Sequence, residues 1–305
     1  MIGIHGRMLK KFAGSEEKVI VPEGVAYIGS YAFGRKDNRE NLCPNLKEII
    51  LPETVNEIAD FAFYRCETLE KIQLPKKMKS IGREAFHYCR SLKSITLPEG
   101  ITKISYGTFE SCYSLREISI PESVSKIESH AFIGCTLKKI VIPPQVWNLP
   151  PDAFSYYESI GEIVYQNISF SPIRRYEDGH VSGVNVPDCL KLIERHDISV
   201  NIPSPEKEYI IFQIYCCYPH DKEIIRFLKD NFCSKFRVLV DRNKLEIVRK
   251  ILEYGEMITQ NNISSCIFYS VQCNTPEITL LLTDYKYHHF GYEDIKTVVE
   301  RKFSL

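Results

Sequence analysis

The segment AFHYCRSLKSITLP, from Ala85 to Pro98, decides the fold, and a second copy, TFESCYSLREISIP, runs from Thr108 to Pro121. In both copies a cysteine follows the phenylalanine by three residues, and a proline closes the segment. The cysteine recurs every 23 residues along the first half of the chain, at Cys43, Cys66, Cys89, Cys112 and Cys135. A sequence motif that recurs at a fixed spacing of about 20 to 50 residues is typical of stacked repeats. The sequence therefore predicts an array of 23-residue units.

Each repeat contains a short strand and a return path. Ile95 and Leu97 are two residues apart, so their side chains share one face of the strand. Pro98 lacks a backbone donor and ends that strand. Ile104 and Phe109 follow on a return path that is predicted to be a turn or short helix with its apolar side facing inward. A unit this short cannot enclose its own core, so neighbouring units must stack to bury these residues.

Eleven cysteines could form a disulfide framework, but the even spacing of five of them predicts a column of small buried residues with free thiols. Cys216 and Cys217 lie close to His220, yet no second cysteine pair completes a metal site. No glycine-rich phosphate loop or nucleophile elbow is present in the sequence. The sequence predicts no catalytic residue, no metal site and no cofactor.

Composition narrows the class of protein. Hydrophobic residues make up 44% and charged residues 26% of the 305 residues, a balance that excludes wholesale disorder. Lysine plus arginine equals aspartate plus glutamate at 39 each, so the chain lacks the basic excess that binding to nucleic acid requires. No apolar run approaches the ~20 residues of a membrane span. We therefore predict a protein that binds no nucleic acid and does not insert into membranes. We also expect it to be a monomer.

The N-terminal sequence MIGIHGRMLKKF lacks an apolar run long enough for the core of a signal peptide. This favours a cytoplasmic location. A cell-surface or secreted location is the alternative, if a signal peptide has been removed.

The repeated columns of leucine, isoleucine, proline, Ala-Phe and cysteine resemble the BspA-type (Treponema-type) leucine-rich repeat, from about Ile20 to Val164. The departures are Thr108 in place of alanine and Tyr157 in place of cysteine. The resemblance implies an α/β repeat solenoid, right-handed with a parallel sheet, over residues 1–166 in about six repeats. It also implies a surface or secreted binding protein, because most members of that family are of this kind.

The second half of the chain has a different period. Residues 167–204 lose the repeat register and are predicted to be an irregular connecting and capping segment, with a short helix from Pro187 to Glu194. Residues 205–305 have a helical period. The sequence NKLEIVRKILEYG, from Asn243 to Gly255, resembles the second helix and following turn of an ankyrin repeat, although the Thr-Pro-Leu-His opening of that family is absent. The resemblance implies an all-α ankyrin-like helical stack.

Two surfaces are candidates for binding. Strand residues between the buried columns should face outward and form a sheet face, consisting of Glu48, Ile50, Lys71, Gln73, Ser94, Thr96, Glu117, Ser119, Lys139 and Val141. Side chains just after the Ala-Phe column form an aromatic edge, consisting of Tyr64, His87, Tyr88, Tyr113 and Tyr156. Tyrosine is enriched at binding hot spots, whereas His87 by itself is expected to be an exposed polar residue. An inert solvated surface is the alternative for the sheet face.

These features predict a non-catalytic protein-recognition module or scaffold, whose partner is a protein. A cell-surface adhesin is the first alternative. An enzyme is the second, and it would require a deep cavity that contains His196, Asp188 and Cys189 in the irregular region.

Overall fold

A computed structural model describes residues 2–35, 43–146, 148–154, 160–175 and 181–291. The chain divides into two compact units, Met1–Ile202 and Pro203–Leu305.

The first unit is built from short strands. In chain order they are β1 (Ile2–His5), β2 (Met8–Phe12), β3 (Lys18–Ile20), β4 (Tyr27–Ile28), β5 (Glu48–Ile50), β6 (Glu57–Ile58), β7 (Lys71–Gln73), β8 (Ser80–Ile81), β9 (Ser94–Thr96), β10 (Lys103–Ile104), β11 (Glu117–Ser119), β12 (Lys126–Ile127), β13 (Lys139–Ile142), β14 (Glu162–Tyr165), β15 (Ile168–Phe170), β16 (Ile173–Arg175) and β17 (Val181–Gly183).

Two parallel rows of strands run along the repeats. In the first row β3, β5 and β7 pair in parallel, as do β9, β11, β13 and β14. In the second row β2, β4, β6 and β8 pair in parallel, as do β10 and β12. The parallel sheet of the prediction is thus present as the first row. The second row replaces the predicted turn or short helix, because each return path is extended for two residues and its copy in the next repeat supplies the hydrogen-bonding partner.

A stack of phenylalanine rings fills the core beside the second row. The rings of Phe12, Phe33, Phe63, Phe86, Phe109, Phe132 and Phe154 follow one another with centroids 5.1 to 5.8 Å apart. Each ring comes from a different layer, so the stack joins neighbouring repeats. Offset stacked pairs at this distance contribute about 0.5–1.5 kcal/mol beyond the burial of their surface.

Both ends of the array are covered. At the start, β1 and β2 form an antiparallel hairpin, and Leu9 and Phe12 of β2 are buried in the core. β2 is therefore the first layer of the solenoid. At the far end β15 turns back antiparallel to β14, and the helix α1 (Val186–Arg195) follows with its apolar face buried. The predicted helix from Pro187 to Glu194 is confirmed.

The second unit is helical. Its helices are α2 (Glu206–Cys217), α3 (Lys222–Lys229), α4 (Phe232–Asp241), α5 (Leu245–Tyr254), α6 (Ile263–Gln272) and α7 (Pro276–Phe290). Consecutive helices α2 and α3, α4 and α5, and α6 and α7 contact each other, and α4 also packs against α2 and α6. Within the described residues, no helix is both long and apolar enough to cross a membrane.

Candidate functional site

The structure places the predicted sheet-face residues together on the outer side of the first strand row. Glu48 and Ile50 are half-buried and the other eight are exposed. Two of the four charged residues of this face are matched by neighbours in the same strand row, because Lys18 pairs with Glu48 at 3.1 Å and Lys139 pairs with Glu162 at 3.1 Å. Exposed pairs of this kind contribute little free energy, and a partner would have to break them.

Flanking residues repeat the same pattern of matched charge. Lys47 pairs with Glu17 at 2.7 Å, and Lys93 pairs with Glu70 across the next repeats. The sheet face is therefore a surface of mixed charge, with several ion pairs in and beside the strand row.

The aromatic edge is a more organised surface. The Arg65 guanidinium lies 5.7 Å from the ring centroid of Tyr64 and 5.2 Å from that of Tyr88. The Arg90 guanidinium lies 5.4 Å from the ring centroid of Tyr88 and 5.8 Å from that of Tyr113. These five residues form an alternating series of rings and guanidinium groups, which we call the Tyr–Arg ladder. Tyr64 and Tyr88 are half-buried, whereas Arg90 is exposed and Tyr113 is 47% exposed.

His87 packs against the ladder and is not exposed, so the expectation that it is an exposed residue is wrong. The residue is buried, and its Nδ1 lies 2.8 Å from a carboxylate oxygen of Glu84. Its ring stacks on Tyr88 with centroids 4.4 Å apart and meets the edge of Tyr64 at 5.1 Å. The sequence does not reveal this position, because the burial depends on how adjacent repeats stack. Tyr156, the last predicted member of the aromatic edge, lies outside the described residues.

The structure also has a groove along the second strand row, which was not predicted from the sequence. It consists of two adjoining cavities of about 460 and about 520 Å³, which share Arg83 and Lys103 in their linings. Its floor is made of small residues that occupy one position of successive repeats, Ala59, Gly82 and Ser105. The spacing of 23 residues between these positions is the signal that could have located the groove.

The groove carries charges of both signs. Cations on its walls are Lys79, Arg83, Lys103 and Lys126, and carboxylates are Glu57, Asp60 and Glu128. Asp60 accepts a hydrogen bond from the backbone N–H of Arg83 at 2.7 Å. Glu128 accepts one from the backbone N–H of Tyr106 at 2.9 Å and one from Lys126 at 3.0 Å. Burial acts to raise the pKa of Glu128, but the hydrogen bonds from Lys126 and Tyr106 outweigh it and hold that pKa below its ordinary value.

The residues of the enzyme alternative do not form a catalytic group. Asp188 lies in the first turn of α1 and His196 is its C-cap, so the helix separates the two by about 12 Å. Cys189 is fully buried, and Asp188 forms an ion pair with Lys191. Among the residues with described positions, no cluster of histidine, cysteine, aspartate or glutamate is suited to hold a metal ion.

The cysteines predicted to form a buried column do so. Cys43, Cys66, Cys89, Cys112 and Cys135 are all buried with free thiols.

Stacked 23-residue units with two parallel strand rows and a phenylalanine core define the first unit as a leucine-rich repeat solenoid. Residues 39–161 match the family described as the BspA type leucine rich repeat region, in six copies. This part of the chain therefore carries BspA-type leucine-rich repeats. Proteins with repeats of this type are generally protein-interaction or surface proteins.

Several solved structures are similar to the chain. A leucine rich cell surface protein from Faecalibacterium prausnitzii is 26% identical with a TM-score of 0.43, and the match covers 60% of each chain. The leucine rich repeat protein of T. pallidum is 30% identical with a TM-score of 0.43, over 48% of this chain and 70% of that one. A leucine-rich repeat protein from Bacteroides ovatus is 28% identical with a TM-score of 0.41, over 52% of this chain and 45% of that one. No curated protein matches the sequence.

Proposed function

We propose that this chain is a non-catalytic protein-recognition module and that the Tyr–Arg ladder is its main contact surface. The observation that carries the proposal is the position of Arg90, which is exposed and lies between the rings of Tyr88 and Tyr113. Tyrosine and arginine are the residue types that, with tryptophan, dominate binding hot spots. Stacking between rings holds the guanidinium in place before a partner arrives, which lowers the entropy cost of binding.

The sheet face is the weaker candidate for the same role. Two of its charged residues, Glu48 and Lys139, already form ion pairs with neighbours along the strand row. A partner would gain little from replacing these contacts, since both sets of charges must be desolvated first.

The helical unit supports a second recognition surface, and we infer that it is an ankyrin-like stack. Three helix pairs follow one another along the chain, and Gly255 ends α5 in the left-handed conformation that suits glycine. Ankyrin repeats are likewise built from pairs of helices that stack on their neighbours.

An adhesin at the cell surface is the second candidate function, and the BspA-type repeats favour it over the cytoplasmic expectation. Protease treatment of intact cells of the source organism separates the two locations. Digestion of the protein on intact cells supports surface display, whereas protection until the cells are lysed supports the cytoplasmic location.

Affinity capture with matched variants tests the contact surface. The full chain is immobilised beside an edge variant, Arg90→Gln with Tyr113→Ala, and a sheet-face variant, Lys71→Ala with Thr96→Ala. All four positions are exposed, so we expect each variant to fold with an unchanged circular dichroism spectrum. Proteins captured from lysate and from cell-surface extract are then quantified by mass spectrometry.

The two variants make the outcomes distinct. A protein that the wild type and the sheet-face variant capture, but the edge variant does not, supports the ladder. A protein that only the sheet-face variant fails to capture would show that the sheet face is the contact surface instead. Equal capture by all three chains overturns the proposed surface.

A further inference from the structure

We propose that the groove along the second strand row is a separate binding site for an extended peptide segment whose central residues are acidic. This site lies on different residues from the Tyr–Arg ladder and does not depend on it. The ligand class follows from the shape of the groove and from the balance of its charges.

The shape fits an extended chain. The lining runs from Ser30 in the first repeat to Pro150 in the last, across successive strands of the second row. Neighbouring strands are about 4.8 Å apart, so five such steps give roughly 24 Å, which equals the length of about seven residues of extended peptide. The two cavities meet at Arg83 and Lys103, so the middle of the peptide would lie against these two cations.

The middle of the groove has unmatched positive charge. Lys103 and Lys126 occupy directly paired positions of β10 and β12, and like charges in such positions repel. Glu128 forms an ion pair with both lysines, at 3.7 Å from Lys103 and 3.0 Å from Lys126. A carboxylate from a ligand would relieve this repulsion.

Two further cations lie beside this pair. Lys79 and Arg83 are exposed, and neither forms an ion pair with a carboxylate in the part of the chain that the structure describes. The Arg83 guanidinium lies 5.1 Å from the ring centroid of Tyr106, whose hydroxyl lies 3.2 Å from Nδ1 of His130. Arg83 is thus held against a fixed ring, with its fork of donors free to bind a carboxylate.

The acidic residues of the groove limit the ligand further. Glu57 and Asp60 lie toward one end of the lining and Glu128 toward the other, and these carboxylates would repel a uniformly acidic chain. The carboxylates of the ligand should therefore be central, with neutral residues at both ends. This distribution distinguishes a peptide from a uniform polyanion such as a sulfated glycan.

Fluorescence anisotropy with a defined peptide tests the site. The labelled peptide Gly-Ser-Glu-Glu-Glu-Ser-Gly is titrated with the full chain, beside a control peptide that has glutamine in place of glutamate. We expect the glutamate peptide to bind and the variant Arg83→Gln with Lys103→Gln to weaken its affinity at least about tenfold, because each cation donates a charge-assisted hydrogen bond.

The variant Lys71→Gln with Lys139→Gln is the matched control, because it removes two positive charges from the sheet face and leaves the groove intact. Equal loss of affinity in both double variants would show a general charge effect and overturn the site. Failure of the glutamate peptide to bind more tightly than the glutamine peptide would also overturn it, as would tighter binding of a heparin hexasaccharide.

A second measurement needs no variant. A photo-reactive group at the central glutamate position should cross-link the wild-type chain within residues 79–106. Cross-links confined to the other strand row or to the helical unit would contradict the proposal. Because the ladder lies outside the groove, the edge variant with Arg90→Gln should bind the glutamate peptide as the wild type does.

Discussion

The thiol of Cys112 donates a hydrogen bond to the backbone carbonyl oxygen of Phe86, 3.2 Å away in the preceding repeat. The same contact recurs from Cys89 to the carbonyl of Phe63 at 3.3 Å. Cys66 and Cys135 repeat it with the phenylalanines one layer before them. The column of cysteines therefore does more than fill space, since each thiol links one layer of the solenoid to the last.

Replacement of Cys112 by alanine should lower the free energy of unfolding of the solenoid. The variant loses a thiol hydrogen bond, with a net contribution of about 0.5–1.5 kcal/mol, and leaves a small cavity where the sulfur was. We expect a total loss of about 1–3 kcal/mol, measured by urea denaturation followed by circular dichroism. Cys217→Ala is the control, because this cysteine is exposed and its loss should change the midpoint little. Equal midpoints for the two variants would contradict a structural role for the column.

The thiol column should also make stability depend on pH in the alkaline range. Burial raises the pKa of the Cys89, Cys112 and Cys135 thiols above their usual value of 9.0. In the unfolded chain these thiols ionise near pH 9.0, whereas in the folded chain they keep their protons. The unfolded state then binds fewer protons than the folded state, so the free energy of unfolding falls as pH rises above that value.

Above the pH at which the unfolded thiols ionise, each such thiol should lower the free energy of unfolding by about 1.4 kcal/mol per pH unit. Below that pH it should have no effect. Urea midpoints measured at pH 8 and at pH 10, in the presence of a reducing agent, check the effect. The variant with alanine at Cys89, Cys112 and Cys135 should show a shallower decline between the two values. An equally steep decline would assign the pH dependence to other groups.

The repeat architecture was predictable because the residues that recur along the sequence are the ones that the fold buries. Ile95, Phe109 and Cys112 are buried, as are most residues at the equivalent positions of the other repeats, so the 23-residue spacing identifies them as core. The second strand row was not predictable in the same way. After β2, its strands are two residues long and are stable only because the neighbouring copy pairs with them.

The candidate sites were harder to predict because the residue type at their positions changes from one repeat to the next. Arg65 and Tyr88 occupy equivalent positions of neighbouring repeats, as do Arg90 and Tyr113, so stacking of the repeats places each arginine against a ring of the next layer. The tyrosines were recognisable from their residue type, but the arginines between them were not. The burial of His87 likewise depends on side chains from two neighbouring repeats.

Replacement of Gly107 by alanine should lower the stability of the solenoid. Its φ of 59° lies in the left-handed region, and a Cβ there would come within 2.9 Å of Cγ of Glu84. Gly107→Ala combines backbone strain of about 1–2 kcal/mol with this clash. Gly24 offers a matched control, because its φ of 88° is also left-handed but nothing lies within 4 Å of the added Cβ. Thermal unfolding should show the larger decrease in Tm for Gly107→Ala, and equal decreases would show that the contact with Glu84 is unimportant.

In the helical unit, Arg242 should stabilise the start of α2 through a buried carboxylate. Glu206 is 3% exposed, and both terminal nitrogens of Arg242 donate to its carboxylate oxygens while the guanidinium lies 4.4 Å from the ring centroid of Tyr209. Arg242→Met removes this partner from a buried charge, a change that typically costs about 3–5 kcal/mol. Hydrogen exchange of the α2 amides, measured by mass spectrometry on the full chain, should therefore become faster. The double variant Glu206→Gln with Arg242→Met removes the charge as well and should recover part of the protection, because a neutral amide is less costly to bury than an unpaired carboxylate. Exchange that is as fast in the double variant as in Arg242→Met would contradict the ion pair as the cause and leave the contact between Arg242 and Tyr209 as the stabilising element.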